Sequence, residues 1–279
     1  MYTKTFTTLL AASLASRTFA QEKPPPFDNK TETPIHFGFL LLPSIQPIDM
    51  MGPLDALTGL AMIYKDTTKL ELSVLSVNST PATTSPPIVN FGIAVPPTMT
   101  LDEYREMAKS NFTQLPAQHN ASCPGQAPFR NKGPLDVLIV PGGGGARMDV
   151  SKEIAFVKEI YPSLKDIISV CTGSTVLARA GVLDNKKATT NKKAWAWATT
   201  FGTNVDYQTH ARWVQDGNVW TGSGVSAAID TMYAYIASKF GEEASLYVAD
   251  ANEYSRWEDP SYDPFADRWG VGKNTTKAA

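Results

Sequence analysis

Apolar runs without strict alternation punctuate the chain at residues 35–42, 135–140 and 167–170. Runs of this kind fit short strands buried on both faces of a parallel sheet. Residues 70–77 alternate apolar and polar positions, which predicts a strand with one partly solvated face. Between these runs, apolar residues recur at helical spacing over 54–64, 101–108, 154–160, 175–180, 194–201 and 226–240. The stretch 43–53 reads as the loop after the first strand, and 81–97 as a short edge strand or hairpin around 88–95. Residues 205–214 and 218–221 read as two strands joined by a turn at Asp216-Gly217. Strands alternating with helices predict an α/β domain with a parallel sheet. The domain is expected to span 35–250, leaving 251–279 as an irregular tail.

Composition narrows the setting. A chain of 279 residues has ample length for a buried core, and a formal net charge of -2 with no basic block gives nucleic-acid binding no electrostatic support. No apolar run is long enough to span a membrane. Residues 1–20 read as a signal peptide: Lys4 supplies the positive end, 9–14 the apolar region, and Thr18-Phe19-Ala20 a small-residue cleavage site. A Pro-rich connector follows over 21–34. Sequons at Asn29, Asn78, Asn111, Asn120 and Asn274 are candidate glycosylation sites and agree with secretion. The mature chain is expected to be soluble and extracellular, with no membrane attachment after cleavage.

The chemistry centres on one cysteine. Ser169-Val170-Cys171-Thr172-Gly173-Ser174 joins the 167–170 strand to the 175–180 helix. Cys171 is thereby predicted at the C-terminal edge of the sheet and at a helix N-terminus, where N–H groups favour a thiolate. Two other strand ends carry polar or flexible groups: Gln46-Pro47-Ile48-Asp49 after the first strand, and Pro141-Gly142-Gly143-Gly144-Gly145 after the 135–140 strand. If the three strands are neighbours, Asp49, Gly142, Gly143 and Cys171 meet in one crevice. Backbone N–H groups of Gly142 and Gly143, with that of Thr172, are then candidate oxyanion donors. A tight strand-to-helix turn explains the glycines equally well. A carboxylate beside a thiolate is a like-charge contact, so one of the two keeps a proton, expected on Asp49. A loop aspartate capping the next helix is the plainer alternative.

The three histidines, His36, His119 and His210, fall in a strand, in an insertion and in a late strand, so a Cys-His hydrolase is disfavoured. No His, Cys and carboxylate spacing suggests a metal, and the glycine run lacks the partners of a nucleotide-binding loop, so no cofactor is expected. Cys123 lies in a polar insertion at about 112–133, where it is either a free thiol or a partner for Cys171.

In these spaced motifs the chain resembles the ThiJ/PfpI superfamily, and within it the isonitrile hydratase-like branch. The resemblance runs from about residue 35 to 250. It is carried by Phe37-Gly38-Phe39-Leu40-Leu41 with Ile48-Asp49-Met50-Met51-Gly52-Pro53, by Val140-Pro141-Gly142-Gly143, by the Cys171 segment, and by Ala188-Thr189-Thr190 and Thr221-Gly222-Ser223-Gly224. It implies a flavodoxin-like three-layer α/β sandwich with a mostly parallel sheet and a cysteine nucleophile elbow. It further implies a class I glutamine amidotransferase-like fold, a homodimer, Cys171 as nucleophile, Asp49 as its acidic partner and Thr172 beside it. The implied reaction is hydration of an isonitrile, a small molecule, to an N-substituted formamide. Glyoxalase- or amidase-like activity at the same site, and a non-catalytic redox-sensing or ligand-binding protein, are the alternatives. Two departures stand out. Asn191-Lys192 replaces the branch's usual His-Trp after Thr190, and no DNA-binding domain like that of related regulators follows the last expected helix.

Overall fold

The computed structural model describes residues 23–28, 32–86, 88–113 and 133–272. The leader, Cys123, His119, Asn29, Asn120 and Asn274 lie outside them, as does most of the 112–133 insertion.

Seven strands form the central sheet, in the order β10-β11-β7-β6-β1-β2-β5. They are β1 (His36–Leu40), β2 (Glu71–Ser76), β5 (Met99–Thr100), β6 (Val137–Val140), β7 (Asp166–Val170), β10 (Trp213–Asp216) and β11 (Val219–Gly222). All pairs are parallel except β10 with β11, which turn back on each other at Gly217 (φ +63°). Every residue of β1, β6 and β7 is buried, which accounts for their unalternated apolar runs. Two further ladders are minor: β3 (Ala82–Thr83) with β4 (Ala94–Val95), and β8 (Lys187–Ala188) with β9 (Asp206–Tyr207).

Helices flank the sheet to make the three-layer sandwich. One group comprises α1 (Pro47–Ile63), α6 (Ala227–Phe240) and α7 (Glu242–Ala251), packed on one another. Tyr235 of α6 meets the Phe37 and Trp220 rings edge-on. The other group contains α2 (Leu101–Lys109), α3 (Ser151–Ile160) and α4 (Ser174–Arg179). There Tyr104 meets Phe156 edge-on. A capping box, with Thr100 and Glu103 bonding each other's backbone N–H, starts α2 just after β5. The short α5 (Trp195–Ala198) and α8 (Pro264–Arg268) complete the set. Among the described residues no helix is long and apolar enough to cross a membrane.

Several sequence expectations need correction. The helix after β1 starts at Pro47, not after Pro53. Pro47 sits in its first turn, where a missing N–H costs nothing, and Pro53 is carried inside because Met50, Ala56, Leu57 and Leu60 bury together. Asp49 is therefore a first-turn helix residue and not a loop residue. The expected 205–214 strand is broken into β9 and β10, because Arg212 turns its backbone N–H to Pro260 O instead of to a strand. The 194–201 helix is a single turn. Residues 242–251 are helical. The described part of the tail is not wholly irregular: it includes α8, capped at its start by Asp263, which is 1 % exposed.

Counting β2-β1-β6-β7-β11 as the core of the sheet, strand order reverses between β1 and β6. Open α/β sheets place their crevice at the carboxyl ends of such strands. The segments bearing Asp49, the glycines and Cys171 leave β1, β6 and β7 at that edge.

Candidate active site

Cys171 follows β7 directly, in a one-turn 3-10 segment that leads into α4. Its φ is +58°, a left-handed conformation that a non-glycine residue adopts only when its surroundings hold it there. Two buried hydroxyls do so. Thr190 Oγ1 donates to the Cys171 carbonyl at 3.1 Å, and Ser174 Oγ, 3.1 Å from the same carbonyl, donates to Thr190 Oγ1 at 2.7 Å. The elbow turns the side chain out of the strand line, where Val170 and Ala228 bury it and Val225 packs beside them.

The crevice forms as anticipated for Asp49 and Cys171. The Asp49 side chain is fully buried and lies close enough to the Cys171 thiol for the two to act on each other's ionisation. Its Oδ2 accepts from Gly142 N–H at 3.0 Å, whereas Oδ1 makes no geometrically regular hydrogen bond. The plainer alternative, an aspartate whose carboxylate caps the next helix, does not describe α1, whose N-terminus has no side-chain cap.

Gly142 and Gly143 are at the site, but in a different role from the one expected. Gly142 N–H is taken by Asp49, and Gly143 N–H donates to Thr172 Oγ1 at 3.0 Å. Both are thus occupied in fixing the site and are not free oxyanion donors. A Cβ on Gly142 would lie 2.6 Å from Thr172 N and 2.9 Å from Asp49 Oδ2. Gly143 has φ +135°, and a Cβ there would lie 2.3 Å from Ser44 O. Only glycine lets the β6 loop approach the other two segments this closely. Thr172 completes the weave: its hydroxyl accepts from Gly143 N–H and donates to Gly143 O.

Electrostatics overturn the expected resting thiolate. Burial, and then the Asp49 charge, push the Cys171 thiol well above its ordinary range, despite the opposing N–H groups of Thr172 and Asn191. Burial likewise pushes Asp49 up to about 7, with the thiol and Gly142 N–H pulling the other way. The short helical start after Cys171 offers a partial positive charge, which cannot offset removal of the sulfur from water. The two groups therefore titrate as a pair: one proton leaves near neutral pH and the second is retained far into the alkaline range.

One contact escaped the motif-based reading. Asn191 Nδ2 lies 3.2 Å from Cys171 Sγ, donating to the sulfur. The departure at Asn191-Lys192 was the one signal that pointed there.

The described histidines stand apart from this group. His36 Nε2 bonds Ser73 Oγ at 2.9 Å and its Nδ1 lies near Gly133 O and Pro134 O, while the half-exposed His210 bonds Thr209. Asn78 and Asn111 are both exposed. An apolar cleft of about 380 Å³ between α1 and β2, lined by Phe37, Leu57 and Leu72 among others, holds none of the catalytic candidates. Among the described residues no cluster of His, Cys and carboxylates has the grouping of a metal site.

With this geometry established, comparison with known proteins is informative. The DJ-1/PfpI family profile matches residues 39–238. The isonitrile hydratase of Pseudomonas putida is 29% identical over 223 residues, covering 79% of both chains. The HTH-type transcriptional regulator GbdR of Pseudomonas aeruginosa is 31% identical over 123 residues, which is 44% of this chain and 33% of the regulator. Among solved structures, a ThiJ/PfpI family protein from Pseudomonas syringae superposes with a TM-score of 0.58 at 23% identity, covering 88% of this chain and 86% of that one.

Proposed function

Because the chain belongs to the DJ-1/PfpI family, we propose that it is a cofactor-independent thiol enzyme that hydrates a small isonitrile to an N-substituted formamide. The observation that carries this reading is the buried Asp49–Cys171 pair, a thiol on a strained elbow against a carboxyl of raised pKa, with neither described histidine beside it. The similarity to the Pseudomonas putida enzyme supports the choice of substrate.

The pair's single shared proton suffices for the reaction. Transfer of the thiol proton to Asp49 leaves a thiolate and a carboxylic acid. The sulfur then bonds the terminal isonitrile carbon while Asp49 delivers its proton to that carbon, giving a thioimidate and a carboxylate. Asp49 next takes a proton from water as the oxygen adds to carbon, and passes it to nitrogen. Collapse of the tetrahedral adduct forms the formamide carbonyl, returns the hydroxyl proton to Asp49 and breaks the carbon–sulfur bond. Water is consumed, and the thiolate and acid are regenerated.

The test is turnover of a small alkyl isonitrile, followed by appearance of its formamide. Turnover should vanish in Cys171→Ala and fall strongly in Asp49→Asn; an inactive wild-type protein, or unchanged rates in both variants, overturns the reading. The N-terminal leader and sequons support a secreted, glycosylated protein, and family resemblance supports a homodimer. Recovery of protein lacking residues 1–20 from the medium of a eukaryotic host, and its mass in solution, test these two points.

A further inference from the structure

Thr190, Asn191 and Lys192 form a segment held unusually firmly for a loop. Thr190 is fully buried, donates to the Cys171 carbonyl, and its own carbonyl lies 3.4 Å from Ser223 Oγ. Lys192 is 2 % exposed, and its Nζ donates to Thr189 Oγ1 at 2.7 Å and to Ala211 O at 2.8 Å. Asp263 and Arg212 lie in the same buried charged group. Between these anchors stands half-buried Asn191, whose Oδ1 accepts from Ala194 N–H at 2.9 Å. With Oδ1 committed, the amide is locked in one flip state, and Nδ2 is the end that faces Cys171 Sγ at 3.2 Å.

We propose that Asn191 is a catalytic N–H donor to the Cys171 sulfur, stabilising the thiolate when the thiol gives its proton to Asp49 and again when the sulfur leaves the last intermediate. The Thr172 N–H favours an ionised sulfur in the same sense, and the glycine-loop N–H groups that might have assisted are already engaged. An amide is suited to the task. It carries no titratable proton, so it donates at every working pH, and it adds no positive charge that would also draw the carboxylate of Asp49 away from its proton. Hydrogen bonds to an ionised acceptor are the stronger kind, so the contact favours the thiolate over the thiol. Buried Lys192, which touches no reacting atom, is explained as a positioning residue that pins the backbone next to this donor. The inference requires Cys171 to act as a nucleophile, as in the proposed function, but not that the substrate be an isonitrile.

The test uses no substrate. Iodoacetamide, small and uncharged, alkylates the thiolate with loss of iodide, and peptide mapping by mass spectrometry follows Cys171 separately from Cys123. Two variants are compared with the full-length wild-type protein at fixed pH: Asn191→Ala, which widens access to the sulfur, and Asn191→Asp, which keeps the acceptor for Ala194 N–H. Loss of the donor should slow alkylation about tenfold in Asn191→Ala, and further in Asn191→Asp, where a carboxylate faces the sulfur. A rate in Asn191→Ala equal to or above wild type, as added access alone would produce, overturns the proposal. So does a wild-type rate in Asn191→Asp, which stands as the independent check should the alanine variant not fold. Slowed alkylation alongside absent isonitrile turnover would retain the donor and discard the substrate.

Discussion

Asp49 in the first turn of α1 and Cys171 on the elbow after β7 bury a carboxyl against a thiol, with Gly142 N–H on the carboxyl and Asn191 Nδ2 on the sulfur. Neither group is solvated well enough to ionise at its ordinary pH. The shared proton that results is the property from which most of the expected behaviour derives.

Activity should rise with pH through about 7. The doubly protonated pair lacks a proton acceptor for the thiol, and the first proton to leave has its pKa near the Asp49 value of about 7. The log of kcat/KM against pH should climb with unit slope below this point and level above it. A flat profile between pH 5 and 8 would show that the pair is not the titrating group.

Asp49→Asn should make the protein more stable while making it inactive. The folded pKa of Asp49, about 7, exceeds the unfolded value of 3.8, so folding favours the protonated form. The contribution of Asp49 is intact below pH 4 and is lost as pH rises to about 7. At pH 8 the folded state therefore bears a buried charge, and its removal should add roughly 1–4 kcal/mol. Urea melts should separate the variant from wild type at pH 8 and bring them together near pH 4.

Thr172→Val deletes the hydroxyl that accepts Gly143 N–H, leaving a partly buried donor without a partner. A loss of about 1–3 kcal/mol is expected, against less than 1 kcal/mol for Thr172→Ser, which keeps the oxygen. Equal melting temperatures for the two would assign the stability at this position to the methyl group instead.

Gly142→Ala places a methyl group against Thr172 N and Asp49 Oδ2. The β6 loop then has to move away from both, and activity should drop by about two orders of magnitude or more, in line with catalytic groups misplaced by about 1 Å. A variant with wild-type turnover would show that the close approach of these three segments is dispensable.

Asp263→Ala should destabilise the protein by roughly 3–5 kcal/mol. Arg212 is bonded to Asp230 and lies 3.8 Å from Asp263, while Ser223 Oγ donates to Asp263. Without Asp263, the positive charges of Lys192 and Arg212 outnumber their buried partners. Chemical denaturation provides the measure, and limited proteolysis near α8 should accelerate with it.

The strands that carry the site were legible in the chain because their burial on both faces favours apolar runs without strict alternation, unbroken in 137–140 and interrupted by Ser169 in 167–170. The elbow was legible as well: a cysteine between such a run and a helical one leaves little room for another geometry. Helix starts were less so. Pro47 and Pro53 are both local breakers, and the burial of Met50, Leu57 and Leu60 decided that α1 begins at the first and runs through the second. The tail was unreadable because its order depends on Asp263, a charged residue that patterning assigns to solvent and the fold buries against Arg212 and Ser223.

By itself the sequence determined the α/β class, the strand-end location of Cys171, and the presence of Asp49 and a glycine loop at two other strand ends. Local periodicity and turn chemistry are sufficient for that much. Only the tertiary structure decided that β1, β6 and β7 are neighbours, that the glycine N–H groups are spent on Asp49 and Thr172, and that Asn191 donates to the sulfur. It also decided where the proton rests. Desolvation is a property of the whole surrounding volume, and no residue pattern along the chain records how completely a thiol and a carboxyl are shut away from water.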